Sequence, residues 1–148
     1  MEPQINADER RSEEKQEYLH EELTKRIIGV FYDVYNELGH GFLESVYHNA
    51  MVIALRNAGL AVESKIPVPV WFRGQQVGAF EVDILVERKV LLERKAARTL
   101  ESANEAQTLN YLRATPIEVG LLLNFGPKAQ IRRFAFANTR KRHCPAVF

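Results

Sequence analysis

Residues 80–97 read FEVDILVERKVLLERKAA, in which charged triplets interrupt two apolar runs. The two apolar runs on either side of the first ERK triplet predict strands at about Val77–Val86 and Val90–Ala97. Residues 87–89 would then form a short hairpin loop between them. The length of this loop decides which side chains of the two strands face each other.

With a three-residue loop, Asp83 lies directly opposite Glu93, and the Cβ atoms of such a pair are about 5 Å apart. Lys95 is two residues beyond Glu93, so it projects from the same face of its strand. A two-residue loop would instead place Asp83 opposite Arg94. The sequence therefore predicts a pair of carboxylates with an ammonium group beside them, on condition that the loop has three residues.

Two carboxylates held this close repel each other and favour a cation between them. Oxygen ligands suit a hard ion, Mg²⁺ or Mn²⁺, which polarises a phosphoryl oxygen and lowers the pKa of bound water. Lys95 would orient that water or stabilise charge on the phosphate. A Glu-x-Lys triplet is also common on solvated strands, so this interpretation depends on the apolar run that the charges interrupt.

The remaining pattern predicts one α/β domain with a mixed sheet in the order α-α-β-β-β-α-β-β. Pro67 and Pro69 favour an edge position for the first strand, and a nearly all-apolar stretch predicts a covered strand near the end of the chain. Ser102 with Glu105 is typical of a capping box at the third helix. Outside the two strands above, we expect elements at about Glu14–Leu38, Leu43–Ala58, Val62–Phe72, Ser102–Arg113, Ile117–Phe125 and Ala129–Phe136.

We expect residues 1–12 to be a disordered acidic N-terminus, residues 13–137 to form the domain, and residues 138–148 to be a basic C-terminal tail. The chain has 148 residues, a net charge of +1 and a single cysteine, which excludes an internal disulfide framework. No signal peptide and no membrane-spanning run is expected, so a cytoplasmic setting fits best.

The charge is unevenly distributed along the chain. Residues 1–38 carry ten acidic and five basic side chains, whereas the remainder carries nine acidic and fifteen basic side chains. A cationic main body permits binding of a polyanion such as nucleic acid, although it does not require it.

Several other side chains have two interpretations. Gln107 and Tyr111 share one face of the third helix, where they could contact a phosphate backbone or lie on an ordinary helix surface. Glu44 lies in the first turn of the second helix, where compensation of the helix dipole explains it without a function. The histidines are expected at the surface or in turns, and Trp71 in the core.

Taken together, the motifs resemble the bacterial GxxExxY protein family, which is assigned to the PD-(D/E)XK nuclease superfamily. The resemblance covers about residues 20–136. It is carried by Gly41-x-x-Glu44-x-x-Tyr47, the strand with Asp83, Glu93-x-Lys95, Gln107-x-x-x-Tyr111 and Leu121-Leu122-Leu123-Asn124-Phe125-Gly126.

The resemblance implies a restriction-endonuclease-like core, a mixed sheet flanked by helices, with a site that uses Asp83, Glu93 and Lys95. It further implies that Glu44 contributes to a metal site and that Gln107 and Tyr111 frame the active site. In one departure, the residue between Glu93 and Lys95 is usually apolar in the family, whereas here it is Arg94. This side chain is expected to face away from its two neighbours.

These observations predict a divalent-metal-dependent nuclease that hydrolyses DNA or RNA. The alternative is a catalytically silent domain of the same fold that binds nucleic acid or a protein partner, and the apolar stripe of the first helix could serve a homodimer. A small-molecule phosphohydrolase is a third interpretation, which requires a closed pocket. No membrane partner is expected.

Overall fold

A computed structural model describes residues 19–142 of the chain. The expectations for residues 1–18 and 143–148, including the disordered N-terminus and most of the basic tail, lie outside the described residues. The elements are α1 (Glu21–Leu38), α2 (Glu44–Asn57), β1 (Val62–Phe72), β2 (Gln75–Val86), β3 (Val90–Lys95), α3 (Ser102–Ala114), β4 (Val119–Phe125), β5 (Ala129–Ala135) and a short 3-10 helix (Asn138–Arg140).

The five strands form one mixed sheet in the order β1-β2-β3-β4-β5. β3 and β4 are parallel, because α3 connects them, and the other neighbouring pairs are antiparallel. The predicted α/β class and element order are confirmed. No helix among residues 19–142 is long and apolar enough to cross a membrane.

The hairpin between β2 and β3 has the predicted register. Val86 pairs with Val90 and Ile84 pairs with Leu92, so the loop contains the three residues 87–89. The alternative two-residue loop is excluded. This register directs Asp83 and Glu93 toward each other at the end of the hairpin that lies away from the loop.

The burial of the other strands follows their place in the sheet. β1 lies at an edge, as its two prolines predict, because proline donates no backbone hydrogen bond to a neighbouring strand. Every residue of β4 is buried, as expected for a strand with a neighbour on each side and helices over the sheet.

Two apolar clusters cover the two faces of the sheet, and β2 changes faces at Asp83. Ile84 packs in the cluster under α1 and α2, whereas Val82 packs in the cluster under α3. Side chains two apart on a regular strand share a face, so β2 departs from regular alternation at this point. On β1, Lys65 has a positive φ of 55° at the corresponding position, and its neighbour Ile66 packs under α3.

Two smaller expectations are wrong. Glu101 rather than Ser102 is the N-cap of α3, and its side chain completes a capping box with Asn104 instead of Glu105. Trp71 is 50% exposed at the tip of the β1–β2 hairpin instead of buried in the core.

Candidate metal centre

The backbone ladder between β2 and β3 ends where the predicted site begins. Beyond the last backbone pair, Ile84 with Leu92, side chains replace the backbone partners. The Asp83 N–H donates to Glu93 Oε1 at 3.2 Å, and the Arg94 N–H donates to Asp83 Oδ2 at 2.9 Å. Each carboxylate is therefore held by a backbone N–H of the opposite strand, which fixes the two acids side by side.

Glu93 is 6% exposed. Burial raises the pKa of its carboxyl group to about 8, and the negative charge of Asp83 adds to the increase. The hydrogen bond from the Asp83 N–H and the positive charges of Lys95 and Arg94 act in the opposite direction without cancelling it. Glu93 is thus a buried acid that its surroundings leave short of positive charge.

Lys95 lies on the same face of β3 as Glu93, in agreement with the predicted alternation. Its side chain is half-buried, and its ammonium group is close enough to lower the pKa of Glu93. The structure therefore brings Asp83, Glu93 and Lys95 together at one position on the sheet.

Arg94 contributes a contact that the sequence did not reveal. It leaves β3 on the face that carries Leu92, but its guanidinium reaches the edge of the site. Nη1 lies 3.1 Å from Glu44 Oε2 and 3.8 Å from Asp83 Oδ2. The Arg94 side chain is 16% exposed, and its buried Nε has no hydrogen-bond partner among the described residues. Arg94 therefore bridges two of the three predicted metal ligands.

The Gly41-x-x-Glu44-x-x-Tyr47 motif has a structural explanation. The Tyr47 hydroxyl donates to Gly39 O at 2.6 Å and accepts from the Phe42 N–H at 3.2 Å, and its ring stacks on Phe125 with 4.4 Å between centroids. The tyrosine thus ties the turn before α2 to the sheet. This contact fixes the start of the helix, from which Glu44 reaches Arg94.

His48 was expected at the surface or in a turn, and that expectation is wrong. It is 2% exposed, its Nε2 lies 2.6 Å from Ser64 Oγ, and its Nδ1 has no partner among the described residues. Burial, followed by the positive charge of Arg94, lowers the pKa of the imidazole. The four-residue spacing from Glu44 could have located it, since such residues share a helix face.

Tyr111 faces the same site from α3. Its ring stacks on Phe80 with 4.0 Å between centroids. Burial and then the negative charges of Glu93 and Asp83 raise the pKa of the phenol to about 12, while a hydrogen bond with Gln107 lowers it. The phenol therefore keeps its proton at neutral pH. Of the two predicted α3 residues, Tyr111 therefore lies close enough to the carboxylates to sense their charge, whereas Gln107 is exposed and contacts Tyr111.

The donor atoms suit a hard cation in part. Asp83 and Glu93 each use one oxygen for a backbone N–H, and no group of residues 19–142 is seen to donate a hydrogen bond to the other oxygen. In the same part of the chain, no set of three or more His, Cys, Asp or Glu side chains is arranged to hold a metal ion. The arrangement thus offers a two-carboxylate site, with Glu44 engaged by Arg94 instead.

The sequence of residues 21–134 matches the family model of the PD-(D/E)XK nuclease superfamily. The matched segment contains the whole sheet except the last residue of β5, and it contains every candidate site residue. The chain belongs to this superfamily.

Among solved structures, one titled "Crystal structure of SSO0001" is similar to this chain at 14% identity, with a TM-score of 0.47. The similarity covers 63% of this chain and 50% of that chain. A likeness at this level carries no argument about function. No curated protein matches the sequence.

Proposed function

We propose that the protein is a divalent-metal-dependent nuclease that hydrolyses phosphodiester bonds of DNA or RNA. The observation that carries this proposal is the interlocked pair of carboxylates at the end of the β2–β3 ladder, with Glu93 buried and the pKa of its carboxyl group raised to about 8. Strongly perturbed acids concentrate at functional sites. Membership in a superfamily of nucleases also supports phosphodiester hydrolysis.

Asp83 and Glu93 would hold the metal ion, Mg²⁺ or Mn²⁺, through the carboxylate oxygens that the backbone leaves free. When bound, such an ion supplies a polarised phosphoryl oxygen and a more acidic water. A dication would also relieve the repulsion between the two acids, which the protein's own residues leave only partly compensated.

Lys95 and Tyr111 supply the other groups. The ammonium of Lys95, adjacent to Glu93, would stabilise negative charge that develops on the phosphate. Because the phenol of Tyr111 stays protonated, it acts as a neutral hydrogen-bond donor toward a phosphate oxygen. Gln107 would hold the phenol in position through their hydrogen bond.

Cleavage of plasmid, linear duplex and single-stranded substrates, with Mg²⁺, Mn²⁺ or EDTA, tests the proposal. We expect cleavage that requires the ion and falls by roughly a hundredfold or more in Asp83→Asn and Lys95→Ala. Glu81→Gln is the matched control, because Glu81 is an exposed carboxylate two residues from Asp83 on the same strand. Cleavage that persists unchanged in Asp83→Asn would assign the activity to a contaminant.

One observation favours a second function. The guanidinium of Arg94 already compensates Glu44 and Asp83 from within the protein. A domain that binds nucleic acid without cleaving it would need no metal, and an internal cation would then replace one. Calorimetric titration with Mn²⁺ separates the two functions: no measurable binding, together with retained binding of oligonucleotides, would favour the silent domain.

We also infer that the chain belongs to the GxxExxY branch of the superfamily. The support is the contact of Tyr47 with the turn that opens α2, which gives the spacing of Gly41, Glu44 and Tyr47 a structural reason. Tyr47→Phe removes both hydrogen bonds of the hydroxyl, so we expect it to loosen the turn before α2 and to weaken the Glu44–Arg94 ion pair. Faster hydrogen exchange of the Phe42 amide would detect this change.

A further inference from the structure

A cationic cavity is lined by one residue near the end of α3 and by residues of the segment 136–142. Its volume is about 500 Å³. The described residues that line it are four basic side chains and one aromatic ring, and none of them is acidic. They are Arg113, Phe136, Arg140, Lys141 and Arg142.

Two arginines of this cavity lie over the ring of Phe136. The guanidinium carbon of Arg140 lies 5.0 Å from the ring centroid, and that of Arg113 lies 5.4 Å from it. Stacking on a ring keeps a guanidinium in place while its N–H groups stay available. Arg113 uses Nη1 to donate to Asn110 Oδ1 at 3.1 Å.

None of the three cavity arginines forms a salt bridge with a carboxylate of residues 19–142. The ion pairs in that part of the chain involve other basic side chains, namely Lys25, Arg88, Arg94 and Arg132. Burial lowers the pKa of Lys141, the negative charge of Glu118 acts in the opposite direction, and Glu118 Oε2 accepts a hydrogen bond from the Asn138 N–H. Three neighbouring guanidinium groups without a carboxylate favour an anion among them.

Lys141 has a different task, because its ammonium protons are all engaged. Nζ donates to Thr115 O at 2.6 Å, to Ile117 O at 2.9 Å and to Asn138 Oδ1. Burial lowers the pKa of this ammonium to about 8. The contacts fasten the 3-10 helix to the start of β4. Arg140 and Arg142 are therefore held on a packed turn on either side of a fixed residue.

Helix α3 separates this cavity from the carboxylate site. Tyr111 faces Asp83 and Glu93, whereas Arg113 lines the cavity. Residues two apart on a helix differ by about 200° around its axis, so they project to nearly opposite sides. The cavity is thus a distinct location that adjoins the same helix as the site.

We propose that the cavity formed around Phe136 binds a phosphate group of the nucleic-acid strand, outside the carboxylate site. The guanidinium fork matches two phosphate oxygens, and a backbone phosphate is singly charged and close to the surface. The choice of a strand as the ligand rests on the proposed nuclease function. The same chemistry would also bind the phosphate of a free nucleotide.

Fluorescence anisotropy of a labelled DNA duplex in EDTA, measured across a series of salt concentrations, tests the proposal. We expect Arg140→Ala/Arg142→Ala to weaken duplex binding roughly tenfold near 0.1 M salt and to reduce the slope of log K against log salt by about 2. Lys89→Ala/Lys128→Ala is the matched control, since it removes two exposed positive charges that lie outside the cavity and form no salt bridge with a carboxylate of residues 19–142. The proposal is overturned if both double variants change the slope equally.

Two further experiments distinguish a strand phosphate from a free nucleotide, and the cavity proposal from the nuclease proposal. In the first, the affinities of the wild type and the cavity variant for inorganic pyrophosphate are compared. If the variant binds pyrophosphate more weakly but binds the duplex as tightly as the wild type, the cavity binds a free nucleotide, and binding of a strand is overturned. Asp83→Asn should lose cleavage and keep the wild-type salt slope. A wild type that never cleaves but shows the cavity effect would refute only the nuclease.

Discussion

Two buried polar side chains on adjacent strands illustrate different uses of polarity. Asn124 on β4 is fully buried, and its amide is engaged at both ends: Oδ1 accepts from the Ala97 N–H at 2.9 Å, and Nδ2 donates to Ala97 O at 2.9 Å and to Gln130 Oε1 at 3.1 Å. Glu93 on β3 is nearly as buried, but it accepts one bond at 3.2 Å and faces a second carboxylate.

This difference distinguishes a buried polar group that stabilises the fold from one that serves a function. Asn124 closes the loop after β3 against β4, and its satisfied amide stabilises the fold. Glu93 destabilises the metal-free protein, because burial and Asp83 oppose its charge. Acids perturbed in this way by burial and a like charge concentrate at functional sites.

The largest effect is expected from Asn124→Ala. The substitution leaves the N–H and C=O of Ala97 without their partner and removes one of the two hydrogen bonds that Gln130 Oε1 accepts, which costs roughly 4 kcal/mol in the free energy of unfolding. Urea denaturation followed by circular dichroism measures it. Asn110→Ala, which removes an exposed amide from α3, should change the same quantity by less than about 0.5 kcal/mol. Equal effects of the two substitutions would remove the distinction.

Glu93 gives a pH dependence of opposite sign to that of an ordinary paired acid. Its pKa rises from the ordinary 4.5 to about 8 on folding, so the folded state binds the extra proton between these values. Stability of the metal-free protein should therefore fall as pH rises from 4.5 toward 8, by on the order of 3 kcal/mol between pH 4.5 and pH 7.

Glu93→Gln removes this titration, and its unfolding free energy should exceed that of the wild type by a margin that grows toward pH 8. Denaturation of both proteins in EDTA at several pH values measures the margin. A margin that is constant with pH would mean that Glu93 is ionised in the folded protein throughout.

Replacing Arg94 should increase the affinity of the carboxylate site for a metal ion. In Arg94→Leu, Glu44 and Asp83 lose their internal cation, so the metal-free protein should lose about 1–2 kcal/mol of stability. Affinity for Mn²⁺ should increase several-fold in calorimetry, because more carboxylate oxygens are available to the ion. Arg132→Leu, which breaks the exposed pair with Glu105, should leave Mn²⁺ binding unchanged. Weaker Mn²⁺ binding in Arg94→Leu would instead make Arg94 a support of the site.

The smallest effect is expected from Tyr111→Phe. The ring keeps its stacking on Phe80, so thermal stability should change little. Loss of the neutral donor should lower kcat roughly fivefold, equivalent to about one hydrogen bond. If kcat is unaffected and only stability changes, Tyr111 is a packing residue.

The fold was largely predictable because local patterns determine it. The register of the β2–β3 hairpin followed from three polar residues between two apolar runs, and the edge position of β1 followed from its prolines. The face change at Asp83 was not predictable, and it coincides with a left-handed conformation of Lys65 at the corresponding position of β1. Nothing in the identity of a lysine requires that conformation.

The candidate site was predictable only along the strands. Alternation placed Glu93 and Lys95 on one face, but it treated Arg94 as a residue that simply points away. A guanidinium at the end of a long flexible chain reaches charges that the Cβ direction does not indicate. His48 was missed although its four-residue spacing from Glu44 places both on one helix face, because its burial depends on how α2 packs over β1.

The position of the chain's only tryptophan has a practical consequence for such experiments. Trp71 lies at a hairpin tip where residues 71–79 are all exposed. Its indole already meets water in the native protein, so its emission wavelength should change little on denaturation and would under-report the unfolding of the distant core. The same exposure makes the fluorophore a sensitive detector of anything that covers the tip.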